Sequence, residues 1–318
     1  MDSPIIQDGF LFENAPFRSC HASTIAETPD GLIAAWFGGT HEKHPDVGIW
    51  VARRDGERWL PPVEVATGTE ESGKRYPTWN PVLFALSRND LRLFYKVGPS
   101  PDTWWGMVLE SADCGKIWSA PVRLPEGILG PIKNKPVALP DGTILSPTST
   151  EHNGWRIHFE RSTDGGETWT RHEVAGEGAI QPSVLLGRNG HLLAPCRSRR
   201  GGKLLLTESH DSGRTWSPLR ELDLPNPNSG TDAVTLADGR HLLVYNHTSE
   251  KRTPLNLALS PDGIHWKRVW DLETEPGEYS YPAVIQGSDG TVHLTYTWNR
   301  THIRYVALDP ARLPDPMD

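Results

Sequence analysis

One short turn recurs along this chain. Ser162-Thr163-Asp164-Gly165-Gly166-Glu167-Thr168-Trp169 reads Ser-x-Asp-x-Gly-x-x-Trp, and Ser111 to Trp118 and Ser209 to Trp216 repeat it. Ser260-Pro261-Asp262-Gly263-Ile264-His265-Trp266 is a copy one residue shorter, and Arg53 to Trp59 is a worn one. The spacing from Asp to Asp is about 50 residues, the period of a propeller blade. Asp bonds nearby backbone N–H groups, Gly accepts a positive φ, and the Trp packs between sheets. These Asp residues therefore read as structural rather than catalytic.

A second repeat supplies an independent count. Asp30-Gly31, Asn89-Asp90, Asp141-Gly142, Asn189-Gly190, Asp238-Gly239 and Asp289-Gly290 read as hairpin turns. Each precedes a strand-like run such as Leu32 to Trp36 or Val292 to Tyr296. The two repeats together predict an all-β chain, a six-bladed β-propeller of four-stranded antiparallel blades. The last blade has lost its Asp turn near Asp309-Pro310. No linker interrupts the pattern, so residues 1–318 read as one propeller domain.

The phase of the repeats assigns the ends. Both repeated turns fall on one end, because antiparallel strands alternate in direction. The loops from strand 2 to strand 3, and the connections between blades, open on the other. That end collects Lys96, Lys133, Lys135, Arg197, Arg199, Arg200, Arg252 and Arg300, although the whole chain carries a formal net charge of −8. A basic pocket on an acidic protein points to an anionic ligand, which Arg can grip with paired hydrogen bonds. The same net charge argues against nucleic acid as a partner. No apolar run is long enough to span a membrane. Met1-Asp2-Ser3-Pro4 opens no signal-peptide pattern, so a cytoplasmic location is expected. Three Cys form no disulfide framework. No spacing of metal ligands or nucleotide-binding glycines appears, so no cofactor is expected. The oligomeric state is not legible.

The Ser-x-Asp-x-Gly-x-x-Trp turns, with Tyr279-Ser280 ahead of the last hairpin and Arg252 ahead of the last turn, resemble the sialidase (neuraminidase) superfamily over nearly the whole chain. Lys133-Asn134-Lys135 resembles a segment of the branch labelled predicted neuraminidase. The resemblance implies a tyrosine nucleophile, which is Tyr279, with Tyr281 second. It implies a general acid on the first blade's loop, Asp46 or Glu42. It implies three arginines around a substrate carboxylate. Arg252 matches the last of them, and Arg197, or Arg199 or Arg200, the middle one. At the first, Arg18 is offset and His21 lies closer to the motif's place. The glutamate that activates the tyrosine is replaced by Gln181, so Glu151 or Asp232 would have to serve. Asn80, Lys133, Asn134, Lys135, Glu151, Asp232, Tyr281 and Arg300 complete the expected substrate surface. The implied activity is exo-hydrolysis of a terminal acidic sugar, sialic acid by family default. Two alternatives stand beside it: a propeller acting on a uronic-acid or other non-sialic glycan, by elimination with His21 and Tyr279 or by hydrolysis, and a propeller that binds acidic glycans without cleaving them.

Overall fold

The computed structural model describes residues 3–87 and 89–313. Six antiparallel sheets carry the predicted repeats in order. Blade 1 begins with the strand Ser19–Thr28, blade 2 with Thr78–Ala85 and blade 3 with Val137–Ala138. Blade 4 begins with Ala179–Ile180, blade 5 with Asp232–Thr235 and blade 6 with Tyr279–Gln286. Apolar clusters fill the seams. Phe159 of blade 3 stacks on Trp216 of blade 4 at 3.6 Å between ring centroids. Val244 and Leu257 of blade 5 pack with Val284 and Leu294 of blade 6.

The repeated turns close as their chemistry requires. Asp164 Oδ1 accepts the backbone N–H groups of Glu167 and Thr168 at 3.1 and 3.0 Å. The Ser162 hydroxyl accepts from Gly166 N–H, and the Trp169 indole N–H donates back to the Gly166 carbonyl. Asp113, Asp211 and Asp262 accept backbone N–H groups in the same way. The worn copy differs. Asp55 pairs with Arg58 in a plain hairpin around Gly56, whose φ is 57°.

The sixth blade needs no Asp turn. Its outer strand is Ile5–Phe10, from the opposite end of the chain, paired with His302–Leu308. Asp309 instead caps the short turn Pro310–Arg312. The two ends of the chain thus share one sheet and close the ring.

The first strands bend where they reach the channel. Ala22, Asn80, Gln181 and Tyr281 have φ of 56°, 37°, 57° and 53°, a left-handed conformation that costs a non-glycine residue roughly 1 kcal/mol. Three of the four precede proline, which disfavours the right-handed helical region for them. Bulges at these points break the pairing register in blades 1, 2 and 6. In blade 4 they split the strand in two, so that Ala179–Ile180 and Leu185–Leu186 pair separately with Leu192–Ser198.

Burial pushes the Asp211 carboxyl up, but hydrogen bonds from Thr215 and Ser209 outweigh it and hold it at about 2. An unfolded aspartate titrates near about 3.9. The turn's stabilisation is therefore complete above about pH 4 and lost as pH falls towards about 2. Asp211→Asn should melt about 2–4 °C below the parent at pH 7, and the gap should close on acidification. A constant gap from pH 7 to pH 2 would contradict this account.

Candidate functional site

The channel end opposite the repeated turns gathers side chains from five blades around one phenol. Tyr281 Oη accepts a 2.7 Å hydrogen bond from Arg197 Nη1 and a 3.1 Å bond from Gln181 Nε2. Arg197 Nη1 also lies 3.4 Å from Gln181 Oε1, which fixes the amide with its nitrogen toward the phenol. Arg197 Nε donates to Asn228 Oδ1 at 2.8 Å. The guanidinium carbons of Arg197 and Arg252 each stand 5.7 Å from the Tyr281 ring centroid, and Lys133 Nζ stands 5.8 Å from it. The His21 ring packs on the same phenol at 4.2 Å.

Tyr279 is elsewhere. It is buried in the seam of blades 5 and 6, with its ring 6.4 Å from Trp298. Alternation along a strand would give Tyr279 and Tyr281 the same face. The bulge between Ser280 and Ala283 and the positive φ of Tyr281 turn the second ring into the channel. The phenol at the site is Tyr281.

The acidic groups divide sharply. Burial pushes the Asp46 carboxyl up, but bonds from Thr40 and His44 outweigh it and hold it below the ordinary range. Asp46 braces its own loop, with Thr40 N–H and Oγ1 at 3.0 and 2.6 Å, so its surroundings oppose an acid's role. Glu42 does reach the site's edge, by an ion pair with Arg300. Glu278, which sequence reasoning missed, lies between Arg252 Nη1 at 2.8 Å and Arg300 Nε at 2.9 Å. Its place just before Tyr279-Ser280, in a connection that opens on this end, was the available signal. Burial raises the Glu278 carboxyl, but Arg300 and Arg252 outweigh that and hold it low. Glu151 goes the other way. Burial raises it above the ordinary range, against the opposing pull of Arg197 and a bond from Trp155. Trp155 in turn lies under the Arg197 guanidinium at 5.1 Å.

Several residues expected to touch ligand are committed elsewhere. Lys135 Nζ bonds both Asp232 oxygens, at 3.2 and 3.0 Å, and the Ala233 carbonyl at 2.9 Å. Asp232 also accepts from the Ser183 hydroxyl at 2.7 Å and from Val284 N–H at 2.8 Å, and is too occupied to act as the base for Tyr281. Lys96 is fully buried, with its amine on the Pro131 carbonyl. Asn80 sits at blade 2's own bend, and Arg18 is exposed while His21 is buried at the site.

Arg197 differs from the two neighbouring arginines. Arg252 and Arg300 share Glu278, and Arg300 has Glu42 besides. Among the described residues Arg197 makes no ion pair, although the residue is only 9% exposed. A buried guanidinium held by neutral partners is a ready seat for an anion.

The BNR repeat-like domain matches residues 30–294. The chain belongs to that family. It is a member of the sialidase superfamily with the six-bladed propeller fold. A sialidase of Bacteroides fragilis (strain YCH46) is 23% identical over 309 residues, which cover 84% of this chain and 56% of that protein. This BNR-repeat propeller thus spans little more than half the length of that relative. Among solved structures, a Hadza microbial sialidase superposes with a TM-score of 0.80 at 19% identity, over 93% of this chain and 66% of the other. A protein of unknown function from Dyadobacter fermentans DSM 18053 gives 0.80 at 20% identity, over 96% and 98%. At this identity the structural likeness speaks for the fold alone.

Metal-ligand atoms within 4.8 Å of one another occur, among the described residues, at His191, Glu208 and His210. That group lies at the end of the repeated turns, away from Tyr281. Arg220 already bonds its carboxylate, and its two imidazoles stack face to face.

Burial, then Arg300, Arg252, Arg197 and Lys133, drive the His21 imidazole well below its ordinary range. Below about pH 6.5 the unfolded chain takes up a proton that the folded site refuses, so this histidine makes the fold less stable as pH falls. The His21 ring resonances should stay fixed from pH 8 to pH 5 in an NMR titration. A midpoint inside that range would show that the cations do not act on it as placed.

Proposed function

We propose that this propeller is a glycoside hydrolase of the sialidase type, acting on a terminal sugar that bears a carboxylate. The observation that carries the reading is the buried, unpaired Arg197 guanidinium beside the Tyr281 phenol. A substrate carboxylate would satisfy it, with Arg252 and Arg300 completing the grip. Their shared partner Glu278 holds both side chains in place. His21, neutral, adds no further charge at the position where the family pattern has its first arginine.

In this reading Tyr281 Oη attacks the anomeric carbon as the bond to the leaving oxygen breaks, and the phenol proton passes to a water or to the substrate carboxylate, because Gln181 can only donate. A neutral nucleophile avoids the repulsion that a carboxylate would meet from the sugar's own charge. Glu151 gives the leaving oxygen its proton, since its surroundings favour the protonated form. Water then releases the sugar from the tyrosine, with Glu151 taking a proton back and the departing phenolate recovering the proton lost in the first step.

A second reading rests on Gln181. Its amide donates to the phenol oxygen and cannot take its proton. A propeller with this residue binds an acidic sugar and cleaves it slowly, or not at all.

Mass spectrometry of products from a panel of sialosides and uronic-acid oligosaccharides separates the readings. Free acidic sugar with water added across the bond supports hydrolysis. An unsaturated uronate supports elimination and overturns the proposal. Binding without product supports the second reading. For a hydrolase, Tyr281→Phe should abolish turnover and leave affinity within about threefold, while Tyr279→Phe keeps activity. Glu151→Gln should cut turnover about 10²-fold or more on natural glycosides, and far less on substrates with an activated aryl leaving group. Gln181→Glu should raise the rate, because a carboxylate there can accept the phenol proton.

A further inference from the structure

Two consecutive residues of the connection into blade 3 reach across the channel to the backbones that carry the site. Lys133 Nζ donates to the Pro282 carbonyl at 2.5 Å, the Thr231 carbonyl at 3.0 Å and the Asn134 side-chain oxygen at 2.8 Å. Asn134 Nδ2 donates to the Gln181 and Pro182 carbonyls at 3.1 and 3.0 Å. An ammonium has three donors and an amide nitrogen two. All five are used, so neither residue has a donor left for a ligand.

The carbonyls they hold are informative. Pro282 follows Tyr281, and Pro182 follows Gln181. Tyr281 and Gln181 both have positive φ, and their side chains meet. Their conformation is unfavourable on its own and persists only where surrounding contacts over-determine it. Gly230 permits the arrangement. A Cβ there would fall 2.9 Å from Gln181 Oε1 and 3.0 Å from Lys133 Cδ and Cε.

We propose that Lys133 and Asn134 are positioning residues that lock the Tyr281-Pro282 and Gln181-Pro182 bends, and so fix where the phenol and the amide meet. This assignment rests on Tyr281 being the reacting group. It replaces the expectation that these two side chains touch substrate. Lys133 steadies the peptide that follows Pro282. Asn134 steadies both peptides that flank Pro182. The link between Lys133 Nζ and Asn134 Oδ1 makes one unit of the two.

The test reads the phenol directly as well as turnover. Tyrosinate absorbance, taken as the difference between each protein and its Tyr281→Phe counterpart, gives the titration of Tyr281 alone. Asn134→Leu changes no charge, so a shift in that titration reports geometry. Lys133→Met keeps the stem and removes all three donors. Thermal melting confirms that both variants fold. The proposal expects the Tyr281 midpoint to move in both variants. It also expects kcat to fall about 10²-fold while KM stays within about threefold, the effect of a displaced reacting group. Folded variants whose Tyr281 midpoint is unchanged overturn it, whatever their melting temperature. If the parent itself turns over no glycoside, the hydrolase reading fails, and the tyrosinate titration still decides the positioning role.

Discussion

The first strands of a propeller line its channel and diverge there, so they cannot satisfy one another by a continuous ladder. Backbone groups left buried without partners are costly. In this chain three consecutive side chains and one carboxylate meet that requirement on one side of the channel. Lys133, Asn134 and Lys135 reach from the connection into blade 3. Asp232 opens blade 5 and accepts from Ser183 of blade 4 and Val284 of blade 6. Blades 3 to 6 are thereby sewn together at the channel. The same knot holds the bends that aim Gln181 and Tyr281. Packing of the seams and presentation of the site are thus tied to one buried polar cluster.

Burying that cluster has an electrostatic consequence. Lys135 has a full partner in Asp232, whereas Lys133 is held by carbonyls and an amide. Burial pulls the Lys133 amine down to about 7, with Lys135 and Arg197 helping and Asp232 opposing. The floor of the channel is therefore less positive near neutral pH than its two lysines suggest, and Arg197 and Arg252 stand around Tyr281 above it. Glu278 and Glu42 offset Arg252 and Arg300. Among the described residues no ion pair offsets Arg197, and the imidazole of His21 stays neutral among these charges. An acidic chain thus presents a basic site at one end, by the placement of a few residues rather than by overall charge.

The parts legible in the sequence are the local ones. A Ser-x-Asp-x-Gly-x-x-Trp turn is closed by residues at most a few positions apart, so its spacing carries its structure. The alternating turns then give the blade count and the functional end. The N-terminal strand of the sixth blade was not legible, because Ile5–Phe10 pairs with residues some 300 positions away and has no turn to announce it. Which of Tyr279 and Tyr281 faces the channel is not legible either, for a related reason. The choice between them depends on a bulge and a positive φ, held by Lys133 from another blade, and no local pattern records that. Asp46 misled in the opposite way. Its loop is in the expected place, but Thr40 and His44 take the carboxylate for the loop itself. Glu278 was missed because its role is to hold arginines brought together only by the fold.

Gln181 joins these threads. A glutamate there would stand within reach of both the phenol and Arg197, accepting the proton of one and neutralising the other. The amide leaves the phenol with two donors and no acceptor among the described residues, and leaves Arg197 without a counter-ion. On the hydrolase reading proposed above, the amide thus weakens the nucleophile's activation and strengthens the demand for an external anion. On that reading the site is biased toward holding a carboxylate firmly, and any cleavage depends on the substrate or on water to carry the phenol's proton. Lys133 and Asn134 make sense in that setting. Where proton transfer offers little, the rate rests on how accurately the phenol is held against the bound sugar.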